Sequence, residues 1–148
     1  MELKIIGSKK LNYQLAQIDN KMRDRVATEM TRVLVAMKKQ SRDSINTGAR
    51  SGKIYKRAGK TRQRSAPGEL PKTDTRDLVN SFSNTTEKLM TRVVGRLVND
   101  SDHASLLEFS SPTKGGRPFM RPLWKIWRPI VRIKFVEIMN KLLRESAK

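Results

Sequence analysis

The sequence predicts an α+β chain in one domain, with a long helix near each end and short strands between them. Three observations predict it. Apolar residues recur every three or four positions from Leu11 to Ile45 and again from Trp124 to Leu142, the spacing of one helix face. The segment from Lys88 to Val98 alternates instead and is rich in β-branched residues, the pattern of strands. The length, 148 residues, is that of one ordinary domain.

The elements follow in order. Leu3 to Ile6 form a short apolar run that reads as a brief strand ending at Gly7, and Ser8 can cap the helix that follows. Leu11, Leu15, Ile18, Met22, Val26, Met30, Val33 and Met37 lie on one face of that helix, and Ile45 extends the stripe. Arg23, Asp24, Arg32, Lys38, Lys39 and Arg42 fall between them as the solvated side. Asn46-Thr47-Gly48 supplies the stop, with glycine past the last turn. A helix of this length predicts a bend or a spine for the domain. Met22, Met30 and Met37 read as adaptable packing.

From Ala49 to Pro71 the periodicity vanishes. Gly52, Gly59, Pro67, Gly68 and Pro71 forbid a continuous helix or strand, which predicts a basic arm or long loop over residues 49–71. Asp74-Thr75-Arg76-Asp77 opens a short helix carrying Leu78, Val79 and Phe82, with Asp74 or Thr75 as cap. Lys88 to Val98 gives two short strands or one bent strand, with Gly95 at a bulge or turn. Asn99 to Asp102 is a turn, His103 to Phe109 one helical turn, and Ser110 to Gly116 a second loop. The last helix starts near Arg121-Pro122. Its apolar face is Trp124, Trp127, Val131, Phe135, Ile138 and Leu142, and Pro129 predicts a kink or restart. Both tryptophans read as core packing against the first helix, with a subunit-interface anchor as the alternative for one of them.

Charge narrows the function. Lys and Arg outnumber Asp and Glu 32 to 14, a net charge of +18. Such a surface attracts nucleic acid through counterion release, without reading sequence. Seven of the cations, Arg50, Lys53, Lys56, Arg57, Lys60, Arg62 and Arg64, fall in the arm before any acid appears at Glu69. The arm carries one aromatic, Tyr55, too few for a base-stacking platform. It therefore reads as a contact for DNA backbone or for an acidic protein neighbour, and both stay open.

Catalytic patterns are scarce. The chain has no cysteine and a single histidine, His103, which excludes disulfides, thiolate zinc sites and histidine-rich metal sites. No Gly-x-Ser-x-Gly turn and no glycine-rich phosphate loop occurs. Asp100, Asp102 and Glu108 read as caps and ion pairs rather than metal ligands. The expectation is a non-enzymatic protein without cofactor or metal. No apolar run approaches the roughly 18 residues of a membrane span.

Three phrases stand in a fixed order: Ser65-Ala66-Pro67-Gly68-Glu69-Leu70-Pro71, followed by Asp74-Thr75-Arg76-Asp77-Leu78; His103-Ala104-Ser105-Leu106-Leu107-Glu108-Phe109; and Gly116-Arg117-Pro118-Phe119-Met120-Arg121-Pro122. Their order and spacing resemble the neck or tail-completion (head–tail joining) family of tailed bacteriophages, which includes lambda-like siphophage members. Arg76 stands where that family usually has glycine, His103 where it has tyrosine, and Ser110 where it has glycine. The resemblance implies an α+β subunit whose long N-terminal and C-terminal helices flank a small, mostly antiparallel sheet. It also implies a homo-oligomeric ring, six subunits expected and twelve the alternative, in the virion neck. There the ring joins portal or head-closure proteins to tail-terminator or tail-tube proteins, with double-stranded DNA in the channel and no membrane. Assembly would take place in the cytoplasm of the bacterial host. A stand-alone, sequence-independent nucleic-acid-binding protein is the alternative. Pro67, Gly68 and Pro71 would fix the exit of the long loop. Arg117, Pro118 and Phe119 would anchor the start of the last helix. Glu108, beside Phe109, would pair with Arg117 or with a neighbouring subunit.

Overall fold

The computed structural model describes residues 9–72, 76–89 and 92–146; for the first ten of these and for Ser146 the backbone alone is described. The element order is α1 (Lys9–Thr47), β1 (Ile54–Arg57), β2 (Lys60–Gln63), α2 (Asp77–Asn80), β3 (Phe82–Lys88), β4 (Val93–Asn99), α3 (Ala104–Phe109) and α4 (Met120–Ser146), with a single 3-10 turn at Pro112–Lys114. The α+β class holds. The strands form two separate antiparallel hairpins, β1–β2 and β3–β4, rather than one sheet. The expected strand at Leu3–Ile6, the Ser8 cap and the Asp74 or Thr75 cap lie outside the described residues.

α1 is the spine. Val33, Leu34 and Met37 from α1 are buried with Leu123 and Trp127 of α4, and Met30, Leu97, Ile130 and Val131 pack around them. The indole N–H of Trp127 donates to Gln40 Oε1 at 2.7 Å, so its one polar atom is satisfied in that packing. A second cluster joins Ile45 at the end of α1 to Val79, Phe82, Ala104 and Phe119. Ile45 is 1% exposed, and the Phe82 and Phe119 rings meet edge to face at 5.9 Å. Leu97 borders both clusters.

Several expectations are corrected. The basic segment is not structureless: it folds back on itself with Ile54 opposite Gln63 and Arg57 opposite Lys60. Its two-residue turn, Ala58 (φ 49°) and Gly59 (φ 72°), has both residues left-handed, the turn whose twist suits a tight hairpin. The strands are so charged that no apolar alternation marks them. Phe82 begins β3 rather than ending a helix. Gly95 pairs with Thr86 in an unbroken register, so it makes no bulge. It serves close approach instead: a Cβ there would stand 2.6 Å from Met30 Cγ. α4 runs through Pro129 as one helix with no restart, held on α1 by Trp127 before the proline and by Ile130 and Val131 after it. Of the two tryptophans, only Trp127 is core. Leu123, one turn earlier, fills the place expected of Trp124, which stays 52% exposed.

Candidate functional site

Two features stand out beyond the core: a knot that ties three loops to the start of α4, and a cationic groove beside the β1–β2 hairpin.

The knot begins with the Ala66–Glu69 turn. Pro67 presets the first central position and Gly68, at φ 85°, takes the second, as a type II turn requires. The Glu69 N–H donates to the Ala66 carbonyl at 3.1 Å. The Glu69 carboxylate accepts the Ala66 N–H at 2.7 Å and the Ser51 hydroxyl. The Ser51 and Ala66 donors together hold that carboxyl below its ordinary value. The Gly68 N–H then donates to the Gly116 carbonyl at 3.0 Å, joining this turn to the loop before α4. Arg117 ties the same two loops from the other side, donating from Nε to the buried Ser65 carbonyl at 3.1 Å and from Nη1 to Gly115 at 3.2 Å. Its own N–H donates to Leu107 of α3 at 2.8 Å.

Glu108 completes the knot. It is 5% exposed, and its carboxylate faces the first amides of α4. Oε2 accepts from Phe119 N at 2.8 Å and Met120 N at 2.9 Å. Oε1 accepts from Arg121 N and Arg121 Nε, both at 3.0 Å. A second Arg121 nitrogen reaches the Glu108 carbonyl. These amides would otherwise be unpaired at the helix start, where a negative charge is also favoured by the helix dipole. Burial pushes the Glu108 carboxyl up, but the three amides and Arg121 outweigh it and leave it below its ordinary value. The expected Glu108–Arg117 pair is therefore replaced by Glu108–Arg121. Arg121 also lies over the Phe109 ring, 5.7 Å from its centroid, and Phe109 itself is 76% exposed. Pro71 and Phe119 are buried; Pro118 is half-buried.

The groove lies between the hairpin, the end of α1, α2 and the turn after β4, with a volume of about 1050 Å³. Strand register brings Arg57 and Arg62 to it. Tyr55 pairs with Arg62 and Arg57 with Lys60, so those four share one face of the hairpin while Ile54, Lys56, Thr61 and Gln63 share the other. Arg64 lies over the Tyr55 ring at 4.6 Å, which orients the guanidinium and covers one aromatic face. Of the seven arm cations, Arg50, Arg57, Arg62 and Arg64 line the groove; Lys53, Lys56 and Lys60 do not. Arg42, Lys72, Arg76 and Arg117, all outside the arm, line it as well. Three carboxylates, Asp77, Asp100 and Asp102, lie along the wall made by α2 and the turn. The surplus of guanidinium over carboxylate suits an anion with many oxygens, since planar guanidinium forks match phosphate or carboxylate pairs. Lys72 is partly committed, donating to the Gly48 carbonyl at the end of α1 at 2.8 Å.

The extra groove residues had no shared signal in sequence, because they come from four separated elements. Alternation of cations within Tyr55–Arg57 and Lys60–Arg64 was the one available hint. Among the described residues no cluster of three metal-ligating side chains occurs, and Glu108 is occupied by the start of α4. No described helix is long and apolar enough to cross a membrane. Comparison with protein-family models, with curated proteins and with solved structures finds no match to this chain.

Proposed function

We propose that this chain is a non-enzymatic structural subunit of a tailed-phage virion. In this reading it forms a ring at the neck, between the portal or head-closure complex and the tail, with double-stranded DNA passing through. One observation carries the reading. The first of the three phrases that resemble the neck family is far in sequence from the other two, yet all three meet in one knot through Gly68–Gly116, Arg117–Ser65 and Glu108–Arg121. The groove adds a surface that suits the phosphate backbone of the DNA in such a channel.

The test is removal of the gene from the phage that encodes it. The reading expects filled heads and free tails that fail to join, restored by supplying the chain in trans. Joined, infectious particles without it would refute the reading. The groove also favours a second reading, a stand-alone binder of nucleic acid without sequence preference. That reading expects the chain in the lysate bound to nucleic acid and missing from purified particles.

A further inference from the structure

Arg76 stands in a conformation that does not suit its side chain. Its φ of 67° and ψ of 0° are left-handed, a region that glycine enters freely and a residue with a Cβ enters at a cost. The other described non-glycine residue at positive φ, Ala58, lies in the two-residue turn of the hairpin, where the turn itself demands it. No bond of the Arg76 side chain offsets the cost. The residue is exposed, and its guanidinium makes no ion pair, hydrogen bond or ring contact among the described residues. The fold therefore does not account for an arginine at this position. Strained residues held in place without a structural return cluster where ligands bind.

Arg76 lines the cationic groove, and α2 and the turn after β4 supply it with no other cation. They bring Asp77, Asp100 and Asp102, and among the described residues Arg76 is their one lysine or arginine there. The end of α1 and the segment after it bring Arg42 and Arg50, which are likewise exposed and without a carboxylate partner among the described residues. We propose that Arg76 is a binding residue of the groove, taking a phosphate of a nucleic-acid backbone whose neighbouring phosphates meet Arg42 and Arg50. The strand fits because its charges recur along its whole length, so it can engage the hairpin side and still reach Arg76. A planar guanidinium grips a phosphate with two parallel bonds. Arg76 thereby offsets a wall of carboxylates that would otherwise repel the strand.

The proposal rests on the groove being a phosphate surface and is independent of the neck reading. Arg76→Gly tests it, because strain and binding move in opposite directions. Losing the side chain relaxes the backbone, so the urea midpoint of the full chain should rise. It also removes a phosphate contact and leaves Asp77, Asp100 and Asp102 unopposed on their side. Affinity for a fluorescent mixed-sequence duplex, read by anisotropy, should therefore fall about three- to tenfold, and the salt slope by about one unit. Arg76→Lys keeps the charge and should keep the slope. Adding Asp102→Asn to Arg76→Gly should recover part of the lost affinity. A stabilised Arg76→Gly chain that binds duplex as the wild type does overturns the proposal. If charge reversal at Arg57, Arg62 and Arg64 still weakens binding in that case, the groove reading survives and Arg76 alone is excluded. A chain that takes polyglutamate through Arg76 and no duplex overturns both.

Discussion

Replacing Glu108 by Gln keeps shape and volume but removes the charge and turns one acceptor oxygen into an NH₂ donor. Four donors now converge on the two carboxylate oxygens: Phe119 N, Met120 N, Arg121 N and Arg121 Nε. Glutamine can serve the pair on one oxygen, while its NH₂ faces the other pair donor to donor. Two bonds to a charged group disappear, at about 1.5–3 kcal/mol each. The helix start also loses its compensating negative charge, roughly 0.3–1 kcal/mol. The cost is therefore about 3–7 kcal/mol, a large part of the roughly 5–15 kcal/mol of a typical domain. At roughly 3 °C per kcal/mol for a chain of this size, the melting temperature should fall by about 10–20 °C. Urea unfolding, with the midpoint falling and the slope unchanged, measures the same loss.

Acid gives the same carboxylate a second test. The Glu108 carboxyl is lowered in the folded chain. Its contribution is thus complete above the ordinary Glu value of about 4.3 and is lost as pH falls through the lower folded-state value. The stability gap between wild type and Glu108→Gln should be flat at neutral pH and narrow in acid. A loss under about 1 kcal/mol, or a gap that stays constant into acid, would show that the carboxylate is not what holds the start of α4.

Three further outcomes are expected. Gly116→Ala should destabilise the chain by several kcal/mol or prevent folding, because the added Cβ would overlap the Ser110 carbonyl and lie 2.7 Å from its carbon; thermal melting reads the loss. Arg76→Gly should raise stability by about 0.5 kcal/mol, since Arg76 holds φ 67° and only glycine adopts that conformation without penalty; an unchanged or lower urea midpoint would contradict it. Charge reversal at Arg57, Arg62 and Arg64 should weaken binding to mixed-sequence duplex DNA and flatten its salt dependence, by about one unit of slope for each phosphate the chain no longer neutralises. Lys56→Glu, on the other face of the hairpin, should matter less; equal effects from both faces would remove the groove as the DNA-binding surface.

The long elements were legible because periodicity accumulates over many turns. α1 ends where Thr47-Gly48 predicts, and Val33, Met37 and Ile45 are buried as their spacing requires. The hairpin was not legible, because Lys56, Arg57, Lys60 and Arg62 carry no apolar alternation and Ala58 is a poor residue for a left-handed turn. β3 was hidden for a related reason: Ser83 to Thr86 are polar, and Phe82 alone faces the core. Trp124 was misplaced because Leu123 and Trp124 lie four and three residues before Trp127, so spacing alone does not choose between them. Arg76 had the clearest meaning. It stands where the resembling family has glycine, and its backbone keeps the conformation glycine would take. The partners of Glu108 depend on how α3 meets α4, a long-range packing that local pattern does not encode.

The proposed neck role is tested most directly by imaging intact tailed particles whose genome carries the gene, at a resolution that resolves helices. The account predicts a ring of density at the head–tail junction that accepts the α1–α4 pair with both hairpins. Particles whose junction is fully accounted for by other chains, with this one absent, would contradict it.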